Sequence, residues 1–206
     1  PLPRPGKIFG SNGVMLQAAL REAGLEASIV QVNDDRDALI AAWKQAVQGH
    51  DLIISTGGVS VGDHDLIRST LETLGAGIIL NGVMQKPGKP MLFAKLNSVP
   101  VFGLPGNPRA VMVLFWEYVL PFLRDTQGTL EPGPHADHLP IEHGLKVQGA
   151  RAEFRAALVA NGKVKLLADE GSHMLGSITG ANALAFIPAN VRELKTGDMI
   201  EVHYIH

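Results

Sequence analysis

The sequence predicts an α/β domain with a mainly parallel sheet covered by helices, followed by a small all-β domain. Three observations predict it. Helical and strand-like patterns alternate through the first 125 residues, the arrangement of a parallel sheet with crossover helices. Beyond Arg124 long helical periodicity stops and short strand-like runs take over. Between an apolar run, Leu52-Ile53-Ile54, and an amphipathic stretch lies Thr56-Gly57-Gly58-Val59-Ser60-Val61-Gly62-Asp63-His64-Asp65, a glycine-rich turn joining strand to helix.

In chain order, Ser11 and Asn12 can cap a helix that runs to Ala23, with Gly24 as its stop. Ile29 to Val32 reads as a strand. Asp34 and Asp35 can cap a second helix ending near Gln48. Leu52 to Ser55 reads as a buried strand, and Asp63 as the cap of a third helix ending near Leu74. Gly77–Leu80, Met91–Lys95 and Val99–Phe102 are strand-like, and a fourth helix runs from Asn107 or Pro108 to Arg124. Thr126 to Pro140 is rich in Gly, Pro, Thr and His, so 126–137 is assigned as a linker between domains at 1–125 and 138–206. In the second domain Phe154–Ala160, Val164–Leu167, Ala183–Ile187 and Met199–Tyr204 read as strands, with Asn161-Gly162 as a hairpin turn. Met174 to Gly180 is its one short helical stretch.

Composition narrows the function. The chain is 46% hydrophobic and 18% charged, with net charge −2, a balance that argues against broad electrostatic binding of nucleic acid. There are no cysteines, which excludes disulfides, thiolate metal sites and a cysteine nucleophile. With no charged-and-apolar leader and no apolar run long enough to span a bilayer, the expectation is a cytoplasmic protein without membrane contact.

Three strings carry the chemistry. In the glycine-rich turn, Gly57, Gly58 and Gly62 let backbone N–H groups approach an anion, and the helix that follows offers its N-terminus to negative charge. Asp65 in the same turn suits a cation beside that anion, although a carboxylate in a first helical turn also needs no ligand. Lys86-Pro87-Gly88-Lys89-Pro90 holds two ammonium groups close together, which suits phosphate or another oxyanion such as molybdate; an exposed basic turn is the plainer alternative. In Leu104-Pro105-Gly106-Asn107-Pro108, Asn107 and Pro108 fit a helix start, and Pro105-Gly106 before them suits backbone that approaches a ligand. Asp34 and Asp35 lie at a strand's carboxyl end, where open α/β sheets place ligands. One can cap the helix while the other faces the crevice. His135, His138 and His143 have loose spacing and read as a solvated loop.

These strings, in this order and spacing, closely resemble the molybdopterin molybdenumtransferase family, whose animal member is gephyrin. The similarity continues through Arg151–Phe154, Gly171–Leu175, Ala181-Asn182 and Gly197-Asp198. It implies a three-layer α/β domain, then a small β-barrel. It implies insertion of molybdate into adenylylated molybdopterin with release of AMP, assisted by Mg2+. Residue by residue, Asp34 and Asp65 match acidic pocket residues and would be catalytic and metal-holding. Lys86 and Lys89 match the oxyanion loop, with Lys86 catalytic as well, and Ser172 matches a pocket serine of the β domain. Gly57, Gly58 and Ser60 would cradle phosphates of the pterin nucleotide, with Gly62, Pro105, Gly106 and Asn107 beside them. The resemblance also implies a homodimer, and it starts partway into the family's α/β domain. Three other readings stand beside the enzyme: a molybdopterin adenylyltransferase, a binding or scaffolding module, and an inactive piece of a longer chain.

Overall fold

The computed structural model describes residues 10–59, 65–167 and 176–205. The first half opens with α1 (Ser11–Glu22) and α2 (Arg36–Ala46), then β1 (Ile53–Thr56), α3 (Leu66–Thr73), β2 (Gly77–Asn81), β3 (Gln85–Lys86), β4 (Leu92–Leu96) and β5 (Val99–Leu104). One long helix follows: α4 (Pro108–Leu114), a π-helical turn (Phe115–Val119) and α5 (Leu120–Thr126).

Four strands form the first sheet in the order β1-β5-β4-β2. β1 and β5 are parallel, with Thr56 opposite Leu104. The β5–β4 and β4–β2 pairs are antiparallel, so the sheet is mixed. The reason is local. Leu96 pairs with Val99 across the two-residue turn Asn97-Ser98, and Asn97 takes φ 56°, a hairpin geometry that returns the chain antiparallel.

Side chains alternate across this sheet. Leu92, Ala94 and Val101 pack with Trp43 of α2 and Ile67 and Leu71 of α3. Phe102 and Leu104 face the other way, against Leu16 and Leu20 of α1 and Val111 of α4. Helices therefore cover both faces, giving three layers.

Several expected details differ. Gly10 is the N-cap of α1, and neither Ser11 nor Asn12 caps it. Asp63 lies outside the described residues, and Asp65 caps α3. Residues 29–32, expected as a strand, pair with no ladder among the described residues. Ile29 and Val30 are 49% and 71% exposed, and Ile29 leans on Gly13 of α1, where a Cβ would meet its Cγ2 at 3.2 Å.

The second half contains β6 (Ala136–Pro140), β7 (Leu145–Lys146), β8 (Ala152–Ala160), β9 (Lys163–Leu166), α6 (Gly176–Thr179), β10 (Ala183–Ile187), β11 (Glu193–Leu194) and β12 (Met199–Tyr204). β6 begins inside the stretch assigned as linker, because residues 136–140 pair antiparallel with β12. His138 is thus a strand residue. The hairpin β8–β9 turns at Asn161-Gly162, with φ 51° and 69°, the positive pair a two-residue turn requires.

The larger sheet runs β3-β8-β10-β12-β6, with β9 on β8. Among the described residues no pairing closes it into a barrel. One face supplies Ala157, Ala183, Ala185, Ile187 and Val202 to its own core. The other sets Phe154, Ala156 and Leu184 against Val113 and Trp116 of the long helix. β3 belongs to the first half in sequence and to this sheet in space.

Candidate functional site

Both parallel strands end at the same edge. β1 runs out at Thr56 into Gly57 and Gly58, whose φ values of 81° and 68° favour glycine. β5 runs out at Leu104 into Pro105 and Gly106. Gly57 N–H donates to Leu104 O at 3.0 Å, and a Cβ on Gly106 would lie 3.8 Å from Gly57 Cα. The two turns are in contact at the carboxyl edge, where an open α/β sheet binds ligands. Asn107 Oδ1 accepts from Ala110 N–H at 3.1 Å and caps α4, so its side chain does the structural job its sequence context suggests.

Asp65 caps α3 by accepting from Arg68 N–H on Oδ1 at 2.9 Å. Its Oδ2 is buried and has no hydrogen-bond partner among the described residues. Ile67, two residues on, sits where a Cβ on Gly58 would meet its Cγ1 at 3.2 Å, which places the start of α3 against the glycine turn. The second buried acceptor without a partner among the described residues is Asn12 Oδ1. Asn12 Nδ2 donates to Gly106 O at 3.0 Å, so this orphan too belongs to the turns at the carboxyl edge. A buried acceptor left unpaired costs about 1–3 kcal/mol, more for a charged group, and calls for a partner. Asn12 was read in the sequence as a cap alone; its link to Gly106, 94 residues away, has no local signal.

Asp35 caps α2 by accepting from Ala38 N–H at 2.8 Å. Asp34 beside it is exposed, and no described contact joins it to Asp65. Among the described residues no group of three His, Asp or Glu is placed to hold a metal ion. The donor set fits a hard cation at one point, Asp65 Oδ2. Mg2+ suits such a point because it keeps waters and takes its other ligands from substrate phosphate. Ser60, Gly62 and Ser172 lie outside the described residues.

The lysine loop is held by a different set of contacts. Lys86 sits in β3, parallel to β8 and opposite Glu153. Gly88 takes φ 97° and is pressed against α4: a Cβ there would meet three Leu114 side-chain atoms at 2.8–3.0 Å. Lys89 is exposed, while its carbonyl accepts from Val83 and Met91 N–H at 3.0 and 3.1 Å. One short helix thus serves two motifs. Asn107 caps its start, and Leu114, roughly 10 Å further along at 1.5 Å per residue, backs the lysine loop. Arg151, just before β8, adds a third cation, donating to Gln85 O at 3.3 Å.

The junction of the halves contains one more cluster. His203 Nδ1 lies 2.8 Å from Glu117 Oε2, and its Nε2 3.0 Å from Glu201 Oε1. Glu117 sits in the π-helical turn, a feature frequent at functional sites. Burial works against charging the ring, but hydrogen bonds to Glu117 and Glu201, with their charges, outweigh it and raise the His203 pKa above the ordinary value. His138, on the neighbouring strand, approaches Glu201 at 3.9 Å.

A mixed sheet between helices, with glycine turns and an unpartnered carboxylate at its carboxyl edge, defines a nucleotide- or cofactor-type binding domain fused to a β-rich one. Comparison makes this specific. The family described as "Probable molybdopterin binding domain" matches residues 4–125, and "MoeA C-terminal region (domain IV)" matches residues 142–205. The chain belongs to the molybdopterin-binding domain family. Molybdopterin molybdenumtransferase of Bacillus subtilis is 33% identical over 203 residues, covering 96% of this chain and 47% of that protein. The Nostoc enzyme of the same name is 33% identical over 204 residues, covering 94% and 47%. The chain therefore spans about half the length of these relatives. Among solved structures, the molybdopterin biosynthesis MoeA protein of Pyrococcus horikoshii superposes with TM-score 0.83 at 28% identity, over 99% of this chain and 50% of that one. A molybdenum cofactor biosynthesis protein of Pyrococcus furiosus shares the fold, with TM-score 0.71 at 22% identity, over 97% and 64%.

Proposed function

We propose that this chain forms the substrate-binding part of a molybdopterin molybdenumtransferase, in which molybdate enters the dithiolene of adenylylated molybdopterin and AMP is released. The observation that carries the reading is the contact between the Gly57 and Gly106 turns, with two unpartnered acceptors, Asp65 Oδ2 and Asn12 Oδ1, in the elements that flank them. Such an edge has use for a ligand that brings donors or a cation. Glycine backbone at Gly57, Gly58 and Gly106, with the preceding Pro105 fixing the turn, would lie against the phosphates. Asp65 would hold Mg2+, which when bound supplies charge neutralisation for the pyrophosphate. Lys86 and Lys89 would bind the tetrahedral molybdate dianion, for which ammonium groups are suited donors. Asp34, exposed next to the capping Asp35, would serve as a further acid at the crevice. Ser60, Gly62, Asn107 and Ser172 complete the proposed pocket by their places in the motifs.

A second copy of the chain belongs to the same reading. Val14, Ile29 and Val30, 63%, 49% and 71% exposed, offer apolar surface around α1 that a homodimer would cover. No helix of the described residues is long and apolar enough to cross a membrane. A cytoplasmic site of action is part of the proposal.

The test is AMP release from adenylylated molybdopterin by this chain with Mg2+, with and without molybdate. Molybdate-dependent release is the expected result. Binding without release would assign the chain the binding role and place the rest of the catalyst elsewhere. Absence of both binding and release would overturn the reading.

A further inference from the structure

A buried carboxylate stands at the junction of the halves, and the reading above gives it no role. Glu153 on β8 faces Lys86 on β3 in parallel register, and its side chain is 5% exposed. Arg155 donates through Nε and Nη2 to Glu153 Oε2 at 2.9 and 2.7 Å. Glu153 Oε1 lies 3.8 Å from Lys86 Nζ, whose side chain is 52% exposed. A parallel ladder needs no acid at this place, and a carboxylate buried there is costly unless cations pair it. Arg155 is one such cation, carried on the same strand. Lys86 is the other, and it comes from the other half of the chain.

The backbone around Lys86 is already fixed. The Tyr118 hydroxyl donates to Gln85 Oε1, Gln85 Nε2 donates to Pro87 O at 3.0 Å, and Arg151 Nη1 donates to Gln85 O at 3.3 Å. What remains soft is the four-carbon stem of Lys86, which has many rotamers. A carboxylate locked on one oxygen by a two-pronged arginine and aimed with the other at the ammonium is a device for selecting among them.

We propose that Glu153 is a positioning residue for the oxyanion site: locked by Arg155, it fixes the Lys86 ammonium at the mouth of the lysine loop, so that an incoming molybdate meets one geometry. The proposal rests on the oxyanion reading of Lys86-Pro87-Gly88-Lys89-Pro90. It also predicts a sign opposite to that of charge alone. Removing a negative charge near a dianion's site strengthens binding by Coulomb attraction; removing a positioning group weakens it.

The experiment is a calorimetric titration of the chain with molybdate, for wild type, Lys86→Ala, Glu153→Gln and Glu153→Asp. If wild type does not bind, or Lys86→Ala binds as wild type does, the oxyanion reading fails and the proposal falls with it. If wild type binds through Lys86, the proposal expects both Glu153 variants to bind about tenfold more weakly, the loss of one charge-assisted contact. The Asp variant keeps the charge but withdraws it by one carbon. Asp binding equal to wild type, with Gln equal or tighter, overturns the proposal. Wild type alone supplies a second readout that does not depend on a variant folding. A held Lys86 ammonium gives a sharp Nζ–H cross-peak in 15N spectra before molybdate is added, and absence of that peak contradicts the proposal.

Discussion

The carboxyl edge of the first sheet and the junction between the two halves treat polar groups in opposite ways. At the edge, Asp65 and Asn12 each spend one polar atom on structure, capping α3 and tying α1 to Gly106, and leave one buried acceptor without a partner among the described residues. At the junction, Glu153 meets Arg155 and Lys86, and His203 lies between Glu117 and Glu201. Paired charges hold two bodies of structure together. Unpaired acceptors are tolerated where something else is due to arrive. The difference separates polar groups that the fold itself pairs from acceptors that, in the proposed reading, are left for a ligand.

The largest effect that would break this contrast is at Gly88. Gly88→Ala places a Cβ within 2.8 Å of Leu114 on backbone at φ 97°. A stability loss of about 3 kcal/mol is expected from overpacking and strain together, read by urea denaturation. Next is Glu117→Gln, which removes one of the two charged partners of a nearly buried histidine. The expected cost is about 2 kcal/mol. It should depend on pH in one direction. Because the His203 pKa is raised in the folded protein, its contribution is fully present below the ordinary histidine value and is lost as pH rises through the folded one. Melting curves across that range should show a slope in wild type that flattens in Glu117→Gln; an equal slope in both would remove His203 from the junction's account.

Smaller effects sharpen the edge side. Asp65→Ala loses the α3 cap and should cost about 1 kcal/mol. Asp65→Asn keeps an oxygen for Arg68 N–H and relieves the unpaired charge, so its melting temperature should equal or exceed that of wild type. A clear loss of stability in Asp65→Asn would show that Oδ2 serves the fold.

Much of this was legible in the sequence wherever the signal was local. The glycine turn after β1, the Asn107-Pro108 helix start, the strands Ala183–Ile187 and Met199–Tyr204, and the Asn161-Gly162 turn all carry their reason within a few residues. What the sequence hid is long-range. Residues 29–32 have strand composition but find no partner among the described residues. The pairing of Lys86 with Glu153 joins β3 to a sheet made from the other half, and a two-residue strand has no periodicity to announce it. Asn97-Ser98 makes a hairpin without the usual glycine, which is why the sheet is mixed where a mainly parallel one was expected. At the site, the strings pointed to Asp65 and Lys86, but the roles of Asn12 and Glu153 depend on residues 94 and 67 positions away.

The most direct measurement is the affinity of the chain for adenylylated molybdopterin with Mg2+ present, compared among wild type, Asp65→Asn and Lys86→Ala. The account predicts tight binding by wild type and a loss of about tenfold or more in Asp65→Asn, with its fold intact. Lys86→Ala should retain the nucleotide and lose molybdate. Wild-type affinity in Asp65→Asn would contradict the claim that the carboxyl edge is the binding end of this molecule.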